Sequence, residues 1–241
     1  VRYFDTAPLY GHELAERELG RFIRGRRGDV AVATKFGIAP NRWFARSPAL
    51  LYAGLAARSA AARAGVLAAG PRNRDYGAQP MLRSLERSLK NLQTDHVDLY
   101  LAHDPSAQPC GFTDDLVGEL ERIRAAGKAR FIGLAGQAAD CFAIARQFPS
   151  VADILQIEAE TPSRLIAQVR CAGFDPAITF GYFRAAVKDL PDSSRAEVMR
   201  RRIEFAAADN PGGVILFSAR SVARIDEILA LFGAADRAES G

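Results

Sequence analysis

The chain has 241 residues, 49% of them hydrophobic and 25% charged, which is enough for one sizeable core and ordinary for a globular protein. No run approaches the roughly 18 consecutive apolar residues that a membrane helix requires, so no membrane association is expected. The net charge of +4 is scattered over many arginines rather than gathered in a block with interleaved aromatics, which argues against a nucleic-acid binder.

The chain opens on Tyr3-Phe4 running into Asp5, a small turn, and Tyr10, so both polar side chains can lie at the mouth of one strand-to-loop junction. A phenol has an ordinary pKa near ~10 and trades protons at neutral pH only beside a cation in a buried setting. From Glu13 to about Ile23, the apolar residues Leu14, Leu19, Phe22 and Ile23 fall near one helical face, and Gly25 with Gly28 supplies the stop. The run Val30 to Thr34 is short and continuously apolar, as a strand covered on both faces should be, and Lys35 ends it. Residues 38–75 are too long for an ordinary connection, and their Pro-, Asn- and Arg-containing ends enclose an alanine-rich middle of high helix propensity. That segment reads either as a substrate loop, with Trp43, Phe44, Tyr52 and Tyr76 walling a pocket, or as a surface helix whose aromatics cover an apolar patch. Trp43 and Tyr76 are the substrate candidates.

Leu82, Leu85, Leu89 and Leu92 define an amphipathic helix over 79–92, which leads into the apolar run 97–102 and then His103. Leu116, Val117, Leu120 and Ile123 repeat the helical pattern, and Ala129 to Leu134 is the next strand. Cys141, Ile144, Ala145 and Phe148 mark a further helix face, followed by a strand at Ile154 to Ile157. Leu165, Ile166 and Val169 continue the alternation, with a strand around Ala177 to Tyr182. A polar helix near Ser193 to Ala208 precedes Val214 to Phe217, and Val222, Ile225, Leu229 and Phe232 close the chain as a helix. Seven strand candidates thus alternate with helices. Repeated βα units imply a parallel sheet, and in a barrel the side chains at the C-terminal strand ends converge on one face. No GxGxxG follows an early strand, as a doubly wound dinucleotide-binding sheet would have it. A single domain over 1–241, carrying the insertion at 38–75, is expected.

Cys110, Cys141 and Cys171 are widely spaced without a CxxC, which argues against a disulfide framework or a zinc site, and the three histidines have no ligand-spaced companions. Arg2 and Asp5 interrupt any signal-peptide core, and a cytoplasmic protein is expected.

Asp5-Thr6-Ala7 with Tyr10-Gly11, then Ala33-Thr34-Lys35, then Val97 to His103, resemble the aldo-keto reductases, and the similarity extends over most of residues 2–232. The resemblance implies a (β/α)8 barrel, a catalytic tetrad of Asp5, Tyr10, Lys35 and His103, NADP or NAD as cofactor, and a small carbonyl or sugar substrate. A family barrel has one more strand before Tyr3, so seven of its eight strands are expected in this chain. Asp104-Pro105 and the long segment after Lys35 look most like the branch containing D-threo-aldose (L-fucose) 1-dehydrogenases. On this reading the Lys35 ammonium favours the Tyr10 phenolate, Asp5 holds that ammonium, Tyr10 relays the proton and His103 hydrogen-bonds the reacting oxygen. Each residue alone has a duller role as a cap, a packing ring, a solvated cation or a core imidazole. Their order and their strand-end placement make the combination specific.

The cofactor side departs from the family pattern. The Ser-Asn pair that usually holds the nicotinamide amide is replaced by Ala135-Gly136. Gln156 and Phe180 match family positions that contact and stack on the nicotinamide, or else they are a polar barrel residue and plain core. Ser218, Arg220, Arg224 and Glu227 mark a phosphate-binding helix start, with the arginines favouring NADP over NAD, or else form a solvated face; Ile228 stands where the family has Asn. One rival reading follows from these departures, a barrel that keeps the tetrad but does non-redox proton-transfer or lyase chemistry; a second, a degenerate barrel that binds a partner, follows from the missing first strand. The sequence does not set the oligomeric state.

Overall fold

The computed structural model describes residues 1–41, 43, 49, 52–54, 56–57, 74–106, 111–159, 165–174, 178–182, 192–219 and 221–239. These fall into two compact units, Val1–Ala135 with Ala143–Asp153, and Gly136–Phe142 with Ile154–Gly241. Among the described residues seven strands alternate with helices along the chain, which is the α/β order of a (β/α) barrel.

In the first unit the strands are β1 (Tyr3–Asp5), β2 (Ala31–Phe36), β3 (Val97–His103) and β4 (Ala129–Gly136). Each pairs in parallel with the next, with Asp5 opposite Ala33, Ala33 opposite Leu99, Lys35 opposite Leu101 and His103 opposite Ala135. Side chains alternate across a strand, so this register puts Asp5, Lys35 and His103 on one face of the sheet. The other face meets the helices: Thr34 Oγ1 donates to Glu16 on the first helix, α1 (Leu14–Ile23), and Tyr100 donates to the Met81 carbonyl on the helix Ala78–Leu92. Lys35 therefore belongs to β2, which runs one residue beyond it, rather than following a strand that ends at Thr34.

The face of α1 differs from the one the apolar spacing predicts. Phe22 is 48% exposed, and the buried positions are Glu16, Gly20 and Ile23. Two features make a carboxylate and a glycine the inner face. Glu16 receives hydrogen bonds from Thr34 Oγ1 at 2.7 Å and Asn91 Nδ2 at 3.0 Å. Gly20 lies so close to the end of the next helix that a Cβ there would be 2.6 Å from the Asn91 carbonyl oxygen. On that next helix the expected leucine stripe is shifted by a fraction of a turn, with Met81, Leu85, Ser88 and Leu92 innermost. The helix Asp114–Ala125 starts at an N-cap, with the Thr113 side chain accepting from Leu116 N, and Leu116, Leu120 and Ile123 of the expected stripe are buried.

In the second unit β5 (Ile154–Glu158), β6 (Ile178–Phe180) and β7 (Val214–Ile215) pair in parallel, Gln156 with Ile178 and Ile178 with Val214. The last strand is shorter than its apolar run, although Leu216 N still donates to the Thr179 carbonyl at 2.8 Å. Met199, Ile203 and Ile228 form a core cluster between the helices Asp192–Asp209 and Val222–Glu239, with Phe217, Leu231 and Phe232 packed on it. Among the described residues, no helix is long and apolar enough to cross a membrane.

Candidate active site

The ends of β1, β2 and β3 bring Asp5, Lys35 and His103 together with Tyr10, which follows β1 on a tight loop. Thr6 N donates to the Ala33 carbonyl, extending the ladder by one bond, and Tyr10 N closes a turn onto the Ala7 carbonyl. Gly11, His12 and Glu13 then take successive positive φ angles of 57°, 50° and 76°. Two of these are not glycine, and such residues cost about 1–2 kcal/mol each in that conformation. Glu13 is held there by ion pairs to Arg17 and Arg87, and His12 Nδ1 accepts from Asn41 N. Strained backbone of this kind clusters beside functional groups, and Tyr10 is the neighbour it positions.

Lys35 is 1% exposed, so its ammonium needs three partners for its three N–H bonds. It has them: Asp5 Oδ1 at 2.5 Å, the Thr6 carbonyl at 3.1 Å and Tyr10 Oη at 3.4 Å. The same ammonium lies 4.9 Å from the Tyr10 ring centroid, and the His103 ring meets that ring edge-on at 5.6 Å. Tyr10 itself is 37% exposed. A buried, carboxylate-paired cation thus touches the one phenol of the group that reaches solvent, which is what a proton relay to an incoming molecule requires.

Tyr3 supplies a contrast that sequence reasoning missed. It lies two residues before Asp5 on the same face of β1, and burial pushes its phenol well above the usual range, with Asp5 and Tyr10 adding to the shift. Its buried hydroxyl has no hydrogen-bond partner among the described residues. Two phenols flank Asp5, and only Tyr10 has the ammonium. The signal was available in the two-residue spacing from Asp5.

The remaining predicted site residues are placed as follows. Tyr76 is buried, with its hydroxyl donating to the His103 carbonyl at 2.8 Å, and Trp43 is exposed, its backbone N bonded to Asn41 Oδ1. In the second unit Gln156 is 3% exposed, and its Oε1 is buried with no hydrogen-bond partner among the described residues. An orphaned buried acceptor of this kind fits the N–H of a ligand carboxamide. Phe180 is partly exposed at the end of β6, and Ser218 is exposed. Arg224 and Glu227 form an ion pair with each other, while Arg224 N approaches Ser221 Oγ at 3.3 Å. Arg220 and Phe44 lie outside the described residues. Next to the Ala135-Gly136 departure, the Gln137 side chain donates to Glu158, a pairing with no counterpart in the sequence reading. Among the described residues, no group of three His, Cys, Asp or Glu side chains could hold a metal ion.

Residues 1–161 match the Aldo/keto reductase family. Similar proteins include L-galactose dehydrogenase of Arabidopsis thaliana, 28% identical over 164 residues, and D-threo-aldose 1-dehydrogenase of a Pseudomonas species, 31% identical over 144 residues. These alignments cover 64% and 58% of this chain and 41% of each relative, so the chain spans about two fifths of the length of the curated relatives it matches. Among solved structures, an aldo-keto reductase of Bacillus halodurans in its holo form superposes with a TM-score of 0.69 at 16% identity, covering 96% of this chain and 76% of that one. An aldo-keto reductase of Klebsiella pneumoniae in complex with NADPH does so with a TM-score of 0.66 at 21% identity, covering 97% and 75%. The fold is that of the (β/α) barrel reductases, with seven strands among the described residues, and the chain belongs to the aldo/keto reductase family.

Proposed function

We propose that this chain carries the catalytic site of an NAD(P)-dependent oxidoreductase that transfers a hydride between nicotinamide and a small carbonyl or an aldose C1 hydroxyl, with Tyr10 as the proton relay. The observation that carries this reading is the Lys35 ammonium, 1% exposed and held by Asp5, within 3.4 Å of the exposed Tyr10 hydroxyl. In the reducing direction Tyr10 Oη gives its proton to the carbonyl oxygen, Lys35 stabilises the phenolate left behind, and His103 hydrogen-bonds the same oxygen. In the oxidising direction Tyr10 takes the hydroxyl proton and the charges run in reverse. The dinucleotide, when bound, supplies or accepts the hydride, which no side chain can do.

Gln156 and Phe180 are the residues proposed to meet the nicotinamide, and Ser218, Arg220, Arg224 and Glu227 the phosphate end. NADP is preferred over NAD because of the two arginines, and the Klebsiella relative's NADPH complex supports the choice. The sugar dehydrogenases among the relatives support an aldose as one substrate class. The chain is proposed to act as one catalytic domain in the cytoplasm.

The test couples binding to turnover. The protein should bind NADPH in a fluorescence titration and oxidise or reduce it with an aldose or aldehyde. Tyr10→Phe should lower kcat by about 10²–10⁴-fold while binding persists. A folded chain that does not bind dinucleotide would remove the redox reading, and Tyr10→Phe turning over at the wild-type rate would remove the relay.

A further inference from the structure

The limb Arg74-Asp75-Tyr76 returns to the end of the strand that carries His103, and none of its residues has a part in the proton chemistry above. The Tyr76 hydroxyl donates to the His103 carbonyl oxygen at 2.8 Å, and the residue is 7% exposed. Its ring has room only because two neighbours lack side chains. A Cβ on Gly37, which has a φ of +102°, would fall 2.1 Å from the ring, and a Cβ on Gly111 would fall 3.2 Å from the Tyr76 Cβ. Phe36 and Phe112 flank it with centroids 6.2 Å and 5.9 Å away. The limb is fastened twice more to the end of β2: Asp75 N donates to the Gly37 carbonyl at 2.8 Å, and Arg74 forms an antiparallel bridge with Ile38.

The next residue after His103 is held as firmly. Asp104 adopts a left-handed φ of 55°, its N–H donates to the Ala135 carbonyl at 2.6 Å, and its carboxylate pairs with the Arg74 guanidinium. The carbonyl of His103 and the backbone that follows it are thus both gripped from the same limb. The His103 ring meets Tyr10 edge-on from that fixed peptide.

We propose that Tyr76, with Arg74 behind it, is a positioning residue for His103, so that the returning limb of the insertion sets the aim of the imidazole at Tyr10. The idea rests on the reading of Tyr10 and His103 as the reacting pair. A buried hydrogen bond to a strand-end carbonyl acts on a catalytic ring through the backbone, and a displacement of about 1 Å at such a site costs on the order of 10²-fold in rate.

Tyr76→Phe removes the hydroxyl and keeps the ring that fills the gap between the glycines. The chain has three histidines, so in a protein labelled with 15N-histidine the imidazoles of His12, His96 and His103 can be followed separately. The substitution should shift or split the His103 ring signals and leave those of His12 and His96 in place. The value of kcat should fall roughly tenfold to a hundredfold at unchanged KM and NADPH affinity. In a His103→Ala background the same substitution should have no further effect on rate. Unaltered His103 signals with a wild-type kcat would overturn the proposal, as would a full rate loss that persists without the imidazole. A wild-type chain lacking any NADPH-dependent turnover would remove the reaction itself, and the imidazole spectra would then decide the positioning role alone.

Discussion

Lys35 and Glu16 show how the two faces of one strand can each cover a buried ionisable group. Lys35 is neutralised by Asp5 on one side of the sheet, whereas its neighbour Thr34 points the other way and donates to Glu16, which is 0% exposed. Among the described residues no cation is bonded to Glu16. Burial raises its carboxyl above the ordinary value of 4.5, with hydrogen bonds from Asn91, Ser88 and Thr34 working against the shift and nearby Glu13 adding to it. Because the folded protein holds this proton more tightly than the unfolded chain, its stabilising contribution is complete below pH 4.5 and is lost as pH rises through the raised folded value. Glu16→Gln keeps the shape and removes the titration, and the hydroxyls of Thr34 and Ser88 can accept from the new amide. The thermal midpoint of Glu16→Gln relative to wild type should therefore climb between pH 4.5 and 8. A difference that stays constant across that range would show that Glu16 does not titrate there. The same scale separates the two phenols beside Asp5: both were visible as letters, but only the structure shows that Tyr10 reaches the Lys35 ammonium while the Tyr3 hydroxyl is buried with no hydrogen-bond partner among the described residues.

At the scale of elements, the alternation of strands and helices was legible because an apolar run of four to six residues and a three-four spacing have different periods. The end of β3 at His103 and the helix Ala78–Leu92 lie within a residue of where those periods place them. The orientation of α1 was not legible, since periodicity reports the apolar arc and the inner face is a glycine between a carboxylate and Ile23. Gly20 shows what decides. In an isolated helix Gly→Ala would stabilise by about 1 kcal/mol, but a Cβ at this position would lie 2.6 Å from Asn91 O and 2.8 Å from the backbone of Leu92, atoms that cannot rotate away. Overpacking of this kind costs about 1–3 kcal/mol, so the net effect of Gly20→Ala should be destabilising. Urea unfolding measures it, and a variant as stable as wild type would mean that the two helices separate at little cost. From the sequence Tyr76 reads as pocket wall or patch cover, because neither glycine that makes room for its ring announces itself by spacing.

For the whole molecule, the family match covers residues 1–161, while the residues proposed for the phosphate end of the dinucleotide lie at 218–227. Binding is therefore the property to test on the entire chain. A ligand that binds only the folded state at 100 times its Kd stabilises by about 2.7 kcal/mol, which for a chain of this size is a rise of roughly 5–10 °C in the thermal midpoint. NADPH should produce such a rise, and NADH a smaller one at equal concentration if Arg220 and Arg224 read the extra phosphate. Arg224→Ala should narrow that gap, although its present partner Glu227 must be released for the arginine to take up an anion.

The sequence by itself determined the family and the order of the parallel βα units, and it singled out Asp5, Tyr10, Lys35 and His103 as candidates, because each stands at the end of an apolar run or just beyond it, and strand ends carry their side chains to a common edge. Only the tertiary structure decided that Lys35 has Thr6 as a further partner, that α1 turns Glu16 inward, that the buried Gln156 Oε1 has no partner among the described residues and that the Tyr76 hydroxyl donates to the His103 carbonyl. These are contacts between residues far apart in the chain. They depend on distances of a few ångströms and on which neighbour lacks a side chain, and local period and composition do not encode either.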